Sequence, residues 1–188
     1  MSASAEVIIE GIWIAWAAYW LLAAFRTKRT VERGGLLGYR AVTVVLALAL
    51  LAGFRLLGDR PASVIWHTPG WLAILCVCLV AAGAAFAIWA RIVLGRNWSA
   101  EVTFKQGHEL IETGPYALAR HPIYTGILAM GIGTVIDYGR PIGLALLIGL
   151  CGGFWWKARD EERIMSRHFP TAYAQYKARV HAIIPFVL

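Results

Sequence analysis

Long apolar runs constrain this chain more than any other feature of its sequence. Residues 7–25, 36–57 and 70–90 form runs of about 20 residues, the length that a helix needs to cross a bilayer. Two further runs, 122–136 and 141–156, are shorter, and by themselves they would also suit buried helices of a soluble domain. None of the five shows the alternation of a membrane barrel strand. We therefore predict an all-α, polytopic membrane protein with about five transmembrane helices.

The composition supports a membrane protein of one domain. Hydrophobic residues make up 59% of the 188 residues and charged residues 15%, against about 25% charged residues in ordinary soluble domains. This apolar excess is hard to bury in a single soluble core, and it excludes a disordered chain, a disulfide scaffold and a collagen-like repeat. No internal repeat or linker divides the sequence, so residues 1–188 are treated as one membrane domain.

The basic residues predict how the chain lies across the membrane. Of the 18 Lys and Arg residues, 14 fall in three connections, residues 26–36, 91–121 and 157–188. The positive-inside rule places these connections in the cytoplasm and the N-terminus outside. The net charge of +7 is then explained by topology and contact with anionic lipids, and no basic stripe indicates nucleic-acid binding. The first run lacks a basic flank before it, so we expect it to be retained rather than cleaved as a signal peptide.

Small residues and cysteines inside the runs predict packing more than chemistry. The two short runs carry small residues every four positions: Thr125, Ala129 and Gly133 on one, and Ala145, Gly149 and Gly153 on the other. Such faces let helix backbones approach closely, so we predict that these runs form a tight antiparallel hairpin. Gly126 lies off this row and is expected to leave room for a ligand. The three cysteines lie inside runs, no Cys/His cluster has zinc spacing, and no metal site is predicted.

The residues most indicative of chemistry flank this hairpin on its cytoplasmic side. Arg120 and His121 precede Pro122, which suits the first turn of a helix. A helix N-terminus attracts anions, and the two basic side chains would strengthen that attraction. Glu161 and Glu162 follow the second run, so the hairpin should bring them close to Arg120 and His121. Each residue could also be an interface marker, a cap or a solvated helix face; their convergence at one end of one hairpin favours a binding pocket.

The same residues resemble a known family of membrane enzymes. The pattern Arg-His-Pro-x-Tyr-x-Gly at 120–126 follows a Gly-Pro-Tyr at 114–116, and a hairpin and Glu-Glu come after it. With the tail at 169–185, this arrangement resembles the isoprenylcysteine carboxyl methyltransferases and the related phospholipid methyltransferases. The resemblance covers residues 94–188 well and earlier residues only as generic hydrophobic helices.

The resemblance implies S-adenosylmethionine as the methyl donor, with S-adenosylhomocysteine as the product, bound at the cytoplasmic mouth of the hairpin. The residues implied to bind the donor are His108, Leu110, Ile111, Tyr116, Arg120, His121, Pro122, Ile123, Tyr124, Gly126 and Glu161. The substrate would be lipidic or prenylated and would enter from the bilayer, while an amphipathic helical tail after residue 160 would cover the donor. Residues Lys157, Arg159 and Glu162 are the candidates for contact with the reacting groups.

One departure from the family pattern concerns the methyl acceptor. The family places an arginine just before the glutamates to hold a substrate carboxylate, and this chain has Lys157 there, with Arg159 two residues on. Lysine and arginine are not equivalent for bidentate carboxylate binding. A carboxylate acceptor is already ionised near neutral pH and needs no base. An amine acceptor would need one, and Glu162 or His108 would become candidates.

Other functions stay open on the sequence alone. A phospholipid amine N-methyltransferase fits the same motifs. A nicotinamide-dependent membrane reductase of the sterol-reductase kind has similar last helices, and a non-enzymatic scaffold is the remaining alternative. The sequence does not decide the oligomeric state or the particular membrane.

Overall fold

The structure, a computed structural model, describes residues 2–24, 30–33, 63–95, 98, 103–105 and 110–183. The elements in chain order are α1 (Ser2–Ala24), β1 (Thr30–Arg33), α2 (Gly70–Leu94), β2 (Thr103–Lys105), a 3-10 turn (Gly114–Ala117), α3 (Pro122–Tyr138), α4 (Pro141–His168) and α5 (Pro170–Arg179). The predicted run at 36–57 lies outside the described residues.

Three of the described helices are long and apolar enough to cross a membrane. They are α1, over Ser4–Ala23, α2 and α4. The helical architecture and a membrane fold thus agree with the sequence prediction. The four predicted runs that fall in the described part of the chain each correspond to one helix, and the boundaries of three of them differ by at most five residues.

Helix α4 differs most from its prediction, because it continues for 12 residues beyond the apolar run and ends at His168. The charged residues after Trp156 end the apolar stretch but not the helix, since Lys, Arg and Glu are good helix formers. Pro170 starts α5 after a break at Phe169. Glu161 and Glu162 therefore lie on the same continuous helix as the apolar segment, beyond its end.

The tightest packing in the described chain joins α3 to α2. A Cβ built on Gly126 would lie 2.5 Å from the carbonyl oxygen of Gly83, and one built on Gly133 would lie 2.8 Å from a methyl of Val80. By contrast, a Cβ on Gly153 of α4 meets nothing within 4 Å. The prediction that the small-residue faces join α3 tightly to α4 is therefore wrong. Periodicity identifies a face that can approach a neighbour, but it does not say which neighbour.

The close approach of α2 and α3 also explains Gly126. The side of this residue where a side chain would stand is filled by Gly83 and Ala87. The expectation that Gly126 leaves space for a ligand is thus wrong on this side, because the space is taken by helix backbone.

A short antiparallel sheet joins two connections that the positive-inside rule places on one side. Strand β1 pairs with β2, with Thr30 opposite Lys105 and Arg33 opposite Thr103, and the register shifts between Thr30 and Glu32. The all-α prediction did not include this sheet, whose strands are too short to give a periodic signal. The pairing brings the connections 26–36 and 91–121 together at one end of the helices.

The opposite end is closed by the segment before α2. The main-chain N–H of Ile65 donates to Gly139 at 2.8 Å, and the Thr68 hydroxyl donates to the carbonyl of Ile136 at 2.7 Å. Gly139 ends α3 in the left-handed conformation, at φ 59°, where glycine carries no steric cost. The α3–α4 hairpin therefore turns at this end, and its open mouth lies at the other.

Candidate functional site

His121 sits at the open mouth of the hairpin, between the two glutamates of α4. It is the N-cap residue of α3 and is 8% exposed. Its Nδ1 lies 3.3 Å from Glu161 Oε2, and its Nε2 lies 3.3 Å from Glu162 Oε1. The structure thus brings together the basic and acidic residues that the sequence placed at this mouth.

The two carboxylates influence the protonation of His121. Burial disfavours the charged imidazolium, but hydrogen bonds to Glu161 and Glu162 and their negative charges outweigh it. The pKa of His121 is therefore raised above its ordinary value. Both ring nitrogens can donate when the ring is protonated, which matches the two acceptors around it.

Glu162 is the centre of an ion network. Its Oε1 accepts from Arg120 Nε at 2.9 Å and from Arg120 Nη2 at 2.7 Å, and its Oε2 lies 2.7 Å from Lys177 Nζ. Together with His121, these contacts engage both oxygens of a side chain that is 14% exposed. A carboxylate held by this many cations is a poor proton acceptor. The geometry therefore favours Glu162 as a residue that holds Arg120 and His121 in place, and it argues against a general base.

Glu161 faces the aromatic part of the site. Its Oε1 accepts a hydrogen bond of 2.6 Å from the Tyr124 hydroxyl. The Tyr124 ring stacks on the His121 ring, with centroids 5.4 Å apart, and on Phe154, with centroids 4.5 Å apart. Burial opposes the ionisation of Glu161, but hydrogen bonds from His121 and Tyr124 and the positive charge of Lys157 hold its pKa below the ordinary value. Glu161 is thus an ionised carboxylate beside the aromatic rings of the site.

The two candidate substrate cations of α4 lie in different surroundings. Lys157 Nζ is 5.5 Å from the centroid of the Tyr124 ring, on the side of α4 that carries Glu161. The Arg159 guanidinium instead lies 4.7 Å from the Trp155 ring, among exposed residues. The helical rotation of about 200° between positions two apart explains why only one of them points to the site. Of the pair, the structure brings Lys157 into the site.

A C-terminal strap, residues 180–183, closes the N-terminus of α3. The N–H groups of Arg120 and His121 donate to the carbonyls of His181 and Ala182, each at 2.8 Å. The carbonyl of Val180 accepts from the Arg120 guanidinium, and that of Ile183 accepts from the Thr125 hydroxyl. The strap's carbonyls thus occupy the N–H groups of Arg120 and His121 in this conformation, and attraction of an anion by the N-terminus of α3 stays a prediction.

The 3-10 turn places Tyr116 beneath the mouth. Tyr116 is 7% exposed and forms a buried cluster with Ile123, Tyr124 and others, against which Ile111 packs. Leu110 is half-buried in the preceding segment. Pro122 begins α3, and neither it nor Ile123 offers a polar side chain to a ligand. Burial raises the pKa of the Tyr116 hydroxyl, which therefore stays protonated at neutral pH. His108 lies outside the described residues.

Sequence reasoning missed the contribution of α5. Lys177 pairs with Glu162, and Arg179 pairs with Glu112 at 2.6 Å. Tyr176 donates to the carbonyl of Tyr116 at 2.6 Å. The sequence predicted an amphipathic helical tail after residue 160, but nothing in it indicated which residues of the tail contact the site. No group of three or more His, Cys, Asp or Glu side chains within the described residues could hold a metal ion.

Comparisons with known proteins agree with this picture. The family model for phospholipid methyltransferases matches residues 71–172. A probable protein-S-isoprenylcysteine O-methyltransferase of Oryza sativa is 26% identical over 98% of this chain and 94% of its own length. The protein-S-isoprenylcysteine O-methyltransferase of Saccharomyces cerevisiae is 32% identical over 61% of this chain, and the match spans about half of the yeast protein, 49%.

A solved structure shares the fold. The eukaryotic intramembrane Ras methyltransferase, isoprenylcysteine carboxyl methyltransferase, matches with a TM-score of 0.54 and 23% identity. The match covers 80% of this chain and 53% of the solved one. At that identity the likeness concerns the arrangement of helices.

Proposed function

Because this chain belongs to the phospholipid methyltransferase family, we propose that it transfers a methyl group from S-adenosylmethionine to the carboxylate of a prenylated cysteine or a similar lipidic acid. The observation that carries the proposal is the arrangement of His121, Tyr124 and Glu161 at the mouth of the α3–α4 hairpin. The relatives described as isoprenylcysteine O-methyltransferases support the choice of acceptor.

The residues present fit S-adenosylmethionine by their chemistry. The Lys157 ammonium lies 5.5 Å from the centroid of the Tyr124 ring, so this aromatic cluster accommodates a cation beside it, as binding of a sulfonium requires. Glu161 offers a carboxylate to ribose hydroxyls or to an amino group. Leu110, Ile111 and Tyr116 supply apolar and aromatic surface next to it. When bound, the donor would supply an electrophilic methyl group. An oxygen of the acceptor carboxylate would bond to the methyl carbon as the C–S bond breaks, and the electron pair would leave with the sulfur of S-adenosylhomocysteine.

The protein's part in this reaction is placement and charge. Lys157 is suited to hold the acceptor carboxylate, and Arg159 is not, because it lies against Trp155. Glu162 keeps Arg120 and His121 fixed, and His121 in turn orients Glu161. Proximity and alignment of two reactants lower a barrier by several kcal/mol, roughly 7–11 in well-oriented cases. No proton needs to be removed from an ionised carboxylate, so the reaction requires no general base.

The membrane arrangement supports entry of the two substrates by different routes. The basic residues of the connections at this end support, by the positive-inside rule, a cytoplasmic mouth and C-terminus and an N-terminus outside. The water-soluble donor then enters from the cytoplasm, and the lipidic acceptor enters from the bilayer between helices.

A phospholipid amine is the second acceptor that the family suggests. The contacts of Glu162 count against it, since Arg120, His121 and Lys177 hold the carboxylate that would remove the ammonium proton. The test offers the purified protein methyl-labelled S-adenosylmethionine with a prenylated cysteine and, separately, with phosphatidylethanolamine in vesicles. We expect base-labile label on the prenylated cysteine. Label only on the phospholipid would overturn the choice of a carboxylate acceptor.

A further inference from the structure

Helix α5 touches the donor-binding region through one buried hydrogen bond. The Tyr176 hydroxyl donates to the main-chain carbonyl of Tyr116 at 2.6 Å, and Tyr176 is 2% exposed. Burial raises the pKa of Tyr176, so the hydroxyl remains a donor at neutral pH. The bond links residues 60 positions apart in the sequence and joins α5 to the 3-10 turn.

The Tyr116 carbonyl depends on this donor. In the turn, the N–H groups of Leu118 and Ala119 both donate to Pro115 at 3.1 Å, and the next N–H, that of Arg120, donates to His181. Within the described part of the chain, Tyr176 is thus the donor that satisfies the carbonyl of Tyr116. A buried carbonyl without a partner is costly, so the turn and α5 keep their relative position.

The 3-10 turn also positions the residues that form one wall of the proposed donor site. Tyr116 packs in one cluster with Ile123 and Tyr124, and Ile111, five residues earlier, packs against that cluster. A second link, the pair Arg179–Glu112 at 2.6 Å, holds the same segment from its exposed side. Residues 110–116 are therefore fixed to α5 at two points, one buried and one exposed.

We propose that Tyr176 is a positioning residue for S-adenosylmethionine: through the Tyr116 carbonyl it holds residues 110–116 in the conformation that binds the donor. This inference rests on the proposed function and adds to it a residue outside the hairpin. Tyr176 itself touches no reacting atom. Without the Tyr176 hydroxyl, residues 110–116 must be ordered when the donor binds, and this ordering weakens donor binding.

The test is Tyr176→Phe, which removes one oxygen and keeps the ring. Tyr173→Phe is the matched control, because Tyr173 is a buried tyrosine on the same helix that makes no hydrogen bond to Tyr116. We expect the Kd for S-adenosylhomocysteine and the KM for S-adenosylmethionine to rise about two- to tenfold in Tyr176→Phe, with kcat unchanged at saturation. The control should bind like the wild type.

Hydrogen exchange separates positioning from simple loss of stability. In Tyr176→Phe the amides of Leu118 and Ala119 should exchange faster, and S-adenosylhomocysteine should restore their protection. Unchanged affinity in Tyr176→Phe, or an equal loss in Tyr173→Phe, would overturn the inference while leaving the proposed function intact. Failure of the wild type to bind S-adenosylhomocysteine would overturn both. If Tyr176→Phe is too unstable to bind the donor, hydrogen exchange decides the question. Faster exchange spread evenly over the whole chain would then also overturn the inference.

Discussion

Replacing Glu161 by Gln removes one negative charge from the site and leaves the size of the side chain unchanged. Glu161 Oε1 accepts from the Tyr124 hydroxyl at 2.6 Å, and Oε2 lies 3.3 Å from His121 Nδ1. Hydrogen bonds to a charged group are worth about 1.5–3 kcal/mol, roughly twice a neutral one. The amide keeps one acceptor but loses the attraction for a cationic or hydroxyl-rich ligand. We therefore expect Glu161→Gln to weaken donor binding by about 1.5–3 kcal/mol, or roughly 10- to 150-fold.

The measurement is calorimetric titration of purified protein with S-adenosylmethionine. Asp160→Asn is the control, because it removes the neighbouring charge of the same helix, where Asp160 pairs with Arg163 at 3.0 Å. This variant should bind the donor within about twofold of the wild type. Thermal unfolding of both variants reports any loss of fold. Glu161→Gln protein that is folded and binds with wild-type affinity would refute the role of Glu161.

Three further outcomes follow from the geometry. Gly126→Ala should destabilise the protein by about 1–3 kcal/mol in denaturant unfolding, because its Cβ would lie 2.5 Å from the Gly83 carbonyl oxygen, whereas Gly153→Ala should be neutral. Lys157→Ala should raise the KM of a carboxylate acceptor about tenfold while Arg159→Ala leaves it unchanged, and equal effects would contradict the assignment. The raised pKa of His121 means that its pairing with the glutamates stabilises the fold fully below the unfolded histidine pKa of about 6.5, and that this contribution is lost as the pH rises through the folded pKa. His121→Asn should therefore reduce the fall of Tm as the pH rises through this range. An unchanged slope of Tm against pH would contradict the raised pKa.

The sequence predicted where the helices lie along the chain better than it predicted which helices pack together. The apolar runs at 70–90 and 141–156 correspond to α2 and to the first part of α4. The predicted partner of the small-residue face of α3 was wrong because such a face suits any helix that approaches it, and Gly133 of this face packs against Val80 of α2. The end of α4 was missed because charge ends an apolar run without ending a helix.

The site was predictable to the extent that the hairpin determines it. Two helices joined by a short turn bring residues before the first and after the second together, so His121 and Glu161 were expected to meet. The strap at 180–183 was not predictable in this position, because it binds through main-chain carbonyls, which are independent of side-chain identity. The contact of Tyr176 was not predictable either, because its acceptor is a main-chain carbonyl 60 residues away.

Binding of the donor tests the central claim most directly. Purified protein is titrated with S-adenosylmethionine and, in a separate experiment, with NADPH, which a membrane reductase of similar helical arrangement would bind. The account predicts saturable heat with S-adenosylmethionine, about one site per chain, and none with NADPH. Heat with NADPH and none with S-adenosylmethionine would contradict it.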